Sequence, residues 1–86
     1  MARTRLSLPF DGTKLRAWRE RVGLTQQELG DKCGLSRYQI SRWESGIARP
    51  EPGSLALLVR GLAEAARSLT PDPLTLMDLL DSRISN

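Results

Sequence analysis

The 86-residue chain carries 13 Lys and Arg against 10 Asp and Glu, a formal charge of +3, with one cysteine and no histidine. A single thiol closes no internal disulfide, and this inventory excludes the usual metal-ligand clusters and imidazole-based acid–base catalysis. The length suits one domain with a modest core, no apolar run approaches the ~20 residues of a membrane span, and MARTRLSLPF has too little apolar length for a signal peptide.

Glycine and proline punctuate four or five helical segments, with no sustained period-two alternation to suggest strands. The first segment is expected over Gly12 to Val22, capped by Asp11, with Leu15, Trp18 and Val22 on one face and Gly23 as its stop. Thr25 caps the second, with Glu28 three residues later completing a capping box. It runs to Cys33 and ends at Gly34, a residue suited to the left-handed C-terminal position. Ser36 caps the third, which covers Arg37 to Ser45 and ends at Gly46. After the irregular IARPEPGS, Pro52 suits the first turn of a fourth helix with a stripe of Leu55, Leu58, Val59, Leu62, Ala66 and Leu69. TPDP breaks it, and Asp72-Pro73 starts an expected fifth helix, Leu74 to Asp81.

Charge is unevenly placed along these segments. Residues 1–60 hold eleven Lys/Arg against six Asp/Glu, whereas residues 61–86 hold two against four. This asymmetry fits either an anionic partner at the N-terminal part and something else at the C-terminal part, or a solvated surface that is merely uneven. The third helix sharpens this. Ile40 and Trp43 share a face that can be buried, while Arg37, Ser41 and Arg42 fall opposite, with Tyr38 one turn before Arg42. Glu and Asp are absent from 35–43, and a carboxylate there would repel phosphate. Cys33 reads as a small buried hydrophobe, and Trp18 and Trp43 as core residues, because they sit on apolar stripes.

Only GLS joins the second and third helices, so the two must cross steeply. Here the chain resembles the phage-repressor/Cro-type (XRE-type) helix-turn-helix domains. The matching text is LRAWRERVGLTQQELGDKCGLSRYQISRWESGIARPEPGSLALL, residues 15–58, within which GLTQQEL, the Gly34 turn, Ile40, WESG and RP stand at the family's spacings. The resemblance implies an all-α, compact four- to five-helix bundle with helix-turn-helix at helices 2 and 3. Gly30 stands where the family usually has Ala. It keeps the crossing close at roughly 1 kcal/mol of helix propensity. Leu29, Cys33, Leu35, Ile40 and Trp43 would form the wedge between the helices.

In that family the third helix enters the DNA major groove. The resemblance thus implies base contacts from Arg37, Tyr38, Gln39 and Arg42. Arg pairs with guanine O6 and N7, Gln with adenine, and Tyr38 offers a phenol and a ring face. Phosphate contacts are implied for Gln26, at the start of the second helix, and for Ser36, Ser41 and Arg49. Arg19 and Glu44 match positions that form a structural ion pair between the first helix and the end of the third. Arg3 and Arg5 fit either a solvated terminus or an arm along the duplex.

The domain organisation expected is an arm over 1–10, the helix-turn-helix domain over 11–69 and a C-terminal helix over 70–86. Leu74, Leu76, Met77, Leu79 and Leu80 are more apolar than a capping helix needs; part of this surplus must cover the domain's own core, and part suggests homodimerisation through residues 55–80, with Leu69, Leu74, Leu76, Met77 and Leu80 as its candidates. The expected function is a cytoplasmic, nucleoid-associated bacterial or phage transcriptional regulator. It would bind double-stranded operator DNA as a dimer, as a repressor, with no enzymatic activity and no cofactor or metal. Two alternatives keep the fold. One is an antitoxin-type regulator that grips a protein partner with its C-terminal helix; the other is an interaction module without DNA affinity.

Overall fold

Local caps set the helix boundaries. In the computed structural model, which describes residues 10–67, 69 and 74–80, the Asp11 carboxylate accepts from the Thr13 amide at 3.0 Å and starts α1, Gly12–Arg21. Thr25 and Glu28 form the reciprocal capping box that starts α2, Gln26–Cys33. Ser36 and Gln39 form a second one at the start of α3, Arg37–Ser45. Pro52, which needs no amide partner in a first turn, opens α4, Pro52–Ala66. Among the described residues there is no strand, only an isolated antiparallel bridge between Phe10 and Leu80. No helix among them is long and apolar enough to cross a membrane.

The helices surround one core of Leu15, Leu29, Ile40, Trp43, Leu55, Leu58 and Leu62, with Cys33 beside them. α3 packs on both α1 and α2, and α4 closes the other side of α2. The α2–α3 crossing depends on two glycines. Gly34 takes φ +75°, a left-handed conformation that L side chains rarely adopt, and its amide donates to the Gly30 carbonyl. Gly30 itself is buried, and a Cβ there would lie 2.6 Å from the Leu35 carbonyl oxygen and 3.4 Å from the Arg37 nitrogen. It therefore meets the turn and the first residue of α3, rather than the body of that helix. The expected wedge is present, with Leu29, Cys33, Ile40 and Trp43 buried and Leu35 packed against them.

The C-terminal segment departs from expectation. In place of a helix from Leu74 to Asp81, the described residues form one 3-10 turn, Leu76–Leu79, with Thr75 and Asp78 joined at its start. Leu80 then becomes extended and pairs with Phe10, the Asp11 amide donates to the Leu79 carbonyl at 2.9 Å, and Lys14 Nζ donates to the Leu80 carbonyl at 2.7 Å. These long-range bonds fold the segment against α1 and stop any helix. The expected helix start at Asp72-Pro73, its end at Asp81 and the arm residues Arg3 and Arg5 lie outside the described residues. α4 also ends at Ala66, so Leu69 stands beyond the helix, exposed.

Candidate nucleic-acid interface

At about 100° per residue, Arg37, Tyr38, Ser41, Arg42 and Ser45 occupy one continuous side of α3. Arg37, Tyr38, Ser41 and Ser45 are exposed and Arg42 half-buried, whereas Ile40 and Trp43 on the opposite side are buried. Tyr38 stands out at 69% exposure. Its hydroxyl accepts from Arg42 Nη1 at 3.2 Å, and the Arg42 guanidinium carbon lies 5.3 Å from its ring centroid. This i,i+4 pair combines a hydrogen bond with a cation–π contact.

Gln39 is placed differently from the other expected base contacts. Its Oε1 accepts from the Ser36 amide at 3.0 Å and from the Ser36 hydroxyl at 3.2 Å. The side chain thus folds back over the helix start, and Ser36 in turn caps the Gln39 amide at 3.0 Å. Both residues serve the helix terminus first, so a base contact from Gln39 would have to come from its amide NH₂ or follow release of the cap.

Behind this surface sits the Arg19–Glu44 ion pair. Arg19 Nε and Nη2 donate to the two Glu44 oxygens at 2.5 and 3.0 Å, and Nη1 donates to the Leu24 carbonyl at 2.9 Å. The two side chains are 11% and 5% exposed. The hydrogen bonds to Glu44 hold the Arg19 guanidinium above the ordinary arginine range, against the opposing effect of burial. Gln26 joins them, its Nε2 donating to Glu44 Oε1 at 3.0 Å. One carboxylate thereby ties α1, α2 and α3 together. It is also the only carboxylate within α3, turned inward and neutralised, which leaves the outer face cationic.

Gln26 therefore braces Glu44 with one amide hydrogen and retains the other. It lines a polar notch with Arg16, Arg19, Ser41, Glu44 and Ser45. The structure thus adds Arg16 and Ser45 to the candidates and brings Gln26 and Ser41 together. Arg16 forms a largely exposed pair with Glu20 at 3.1 Å, worth little against a phosphate competitor. Nothing in the sequence marked Arg16 apart from its turn-spacing before Arg19 and Glu20; only the folded notch does. Arg49 lines a second notch, between the start of α1 and the end of α3, with Asp11, Thr13 and Ser45.

The apolar surplus of the C-terminal segment divides in two. Leu74 and Leu80, expected at a dimer surface, are buried in the domain's own core, because the Phe10–Leu80 pairing draws them inward. Leu69, Leu76 and Met77 remain exposed, at 52%, 37% and 62%. Leu76 borders an apolar groove with Pro52, Leu55, Ala56, Val59 and Arg60.

Two short helices joined by the three-residue turn Gly34–Ser36, the second presenting a cationic face, define a helix-turn-helix domain. The sequence pattern of the helix-turn-helix family matches residues 15–66, and the chain belongs to that family. No curated protein matches the chain. Among solved structures it is similar to the P22 c2 repressor in complex with a synthetic operator, with 31% identity, 71% of this chain and 94% of that chain covered, and a TM-score of 0.59. It is similar too to the DNA-binding domain of the P22 c2 repressor in solution, with 30% identity, 88% and 91% covered, and a TM-score of 0.60. A third likeness is to the clp gene regulator ClgR from C. glutamicum, with 28% identity, 71% and 90% covered, and a TM-score of 0.57.

Proposed function

We propose that the protein is a sequence-specific double-stranded-DNA-binding transcription regulator that represses by occupying operator DNA. The observation that carries this reading is the outer face of α3, where Arg37, Tyr38, Ser41 and Arg42 stand without a carboxylate on the second helix of the motif. The P22 c2 repressor, similar in fold and sequence, was solved on a synthetic operator. In this reading Arg37 and Arg42 meet base edges, with Tyr38 beside Arg42 on the same face. Arg16, Gln26, Ser41 and Ser45 line the notch that receives one phosphate strand, with Ser36 and Arg49 anchoring further along. The protein acts on the chromosome, in the cytoplasm.

One such unit reads few base pairs, so two copies are proposed to bind half-sites about 34 Å apart, one duplex turn. Exposed Leu69 and Met77, with Leu76 at the border of the groove over α4, are the surface for the second copy. The same groove supports a second reading, in which it holds a different protein, as an antitoxin would hold its toxin.

Selection of duplexes from a random pool tests the proposal. A palindromic site should be enriched. On it, Arg37→Ala should cost about 1–3 kcal/mol and relax one base position, while Gln26→Ala should weaken all sequences alike. Affinity should fall with salt at a log–log slope of about −0.9 per phosphate contacted. A flat salt dependence, with neither substitution altering binding, would favour an interaction module without DNA affinity.

A further inference from the structure

Among the described residues, Arg37 and Arg42 differ in how they stand. The Arg37 side chain makes no hydrogen bond or ion pair, whereas that of Arg42 is held by Tyr38 through both the phenol oxygen and the ring. No carboxylate pairs with Arg42. An arginine side chain is rich in rotamers, and most of that freedom must be surrendered when it docks on a base. Tyr38 has already restricted that freedom in the unbound protein. The contact also leaves a particular edge open. With Nη1 donating to the phenol, Nε and Nη2 remain as two parallel donors, the arrangement that matches guanine O6 and N7. The phenol oxygen accepts from Arg42, so its own hydrogen points elsewhere and does not compete for that edge.

We propose that Tyr38 is the positioning residue of Arg42, and that the pair reads one guanine as a unit. The proposal rests on the DNA-binding reading above and deepens it. Tyr38, expected from the resemblance to touch bases itself, acts on specificity through Arg42. Arg37, which has no such brace, reads its own base independently.

The test uses the full chain, a duplex enriched by the wild type, and versions of it with each base pair replaced in turn. Arg42→Ala should abolish the preference for guanine at one position. Tyr38→Phe keeps the ring on a well-exposed site and so leaves folding intact. It should lower that same preference about five- to tenfold, because the arginine must then surrender on docking the rotamer freedom that the phenol removes beforehand, and leave every other position unchanged. In an Arg42→Ala background Tyr38→Phe should change nothing. In the free protein, the Arg42 guanidinium should show slowed rotation by ¹⁵N NMR, lost in Tyr38→Phe. An enriched duplex whose guanine preference survives Tyr38→Phe overturns the proposal alone. The same holds if the loss falls at a different position or persists at full size without Arg42. A pool that enriches no duplex overturns the DNA-binding reading and this proposal with it, even where the NMR signature is intact.

Discussion

Arg19→Ala is the sharpest test of how the interface is held. The wild-type guanidinium makes three hydrogen bonds, two to Glu44 and one to the Leu24 carbonyl. Its removal leaves the 5%-exposed Glu44 carboxylate with Gln26 as its remaining side-chain donor among the described residues, and strips the Leu24 carbonyl of a partner. Breaking a buried pair in this way costs about 3–5 kcal/mol. The lower end applies here, about 3 kcal/mol, because Gln26 stays and Arg19 reaches the surface. A domain of this size holds roughly 4–13 kcal/mol in total, so the loss is a large share. It should lower Tm by more than about 12 °C. Thermal and urea unfolding followed by circular dichroism measure it. Glu44→Ala should cost a similar amount, since it abandons the guanidinium. The apolar double Arg19→Met/Glu44→Leu should be more stable than either single alanine variant, because it leaves neither charge unpaired. A loss below about 1 kcal/mol for Arg19→Ala, or a double variant less stable than both singles, would refute the reasoning.

Other substitutions probe the glycine contacts and the thiol. At Gly12 an added Cβ would overlap the Trp43 carbonyl oxygen, which is backbone and cannot swing aside, so Gly12→Ala should cost about 1–3 kcal/mol in urea titration. Gly53, also in a helix, has nothing within 4 Å of its added Cβ, and Gly53→Ala should raise stability by about 0.5–1 kcal/mol. An added Cβ at Gly61 overlaps the Cys33 sulfur, so Gly61→Ala should destabilise, and Cys33→Ala in the same chain should recover part of the loss. Burial also pushes the Cys33 thiol above its ordinary range. The protonated thiol is thus favoured in the fold. Its contribution is complete below the unfolded thiol pKa and disappears as pH rises through the folded one. Native protein should label slowly with a thiol reagent at pH 8, at a rate that follows unfolding; fast labelling would contradict the packing.

The legible parts of the fold were those written in short range. α2 and α3 fall where Thr25, Glu28, Gly34, Ser36 and Gly46 place them, because each cap is satisfied by residues within a turn of itself. The C-terminal segment is illegible for the opposite reason. Its leucines have helical density, but its structure is decided by Phe10, Asp11 and Lys14, some 66 to 70 residues earlier in the chain. No local period reports such pairing. The side chains of the site divide in the same way. That Arg37 and Arg42 share an outer face follows from helical spacing alone. Ser36 and Gln39 stand at capping-box spacing and Tyr38 and Arg42 at i,i+4 spacing, so those engagements are short-range too, whereas that Gln26 is engaged by Glu44 follows only from packed geometry.

Those engagements explain why so short a helix can be both core element and reading surface. α3 has nine residues, and two of its large apolar side chains are sunk into the core. Its one acidic side chain is drawn to the inner face by a guanidinium on α1 and an amide on α2. Gly12 lets the start of α1 lie against the carbonyls of Trp43 and Glu44, close enough for that arrangement. The outer face is cationic because the fold has drawn its one carboxylate away from it. It follows that the residues on that face are separable from stability. Changes at 37, 38 and 42 should redirect which duplex is bound, and changes at 41 should weaken all duplexes alike, while Tm stays within a few degrees; changes at 12, 19 or 44 should lower Tm before they touch sequence preference.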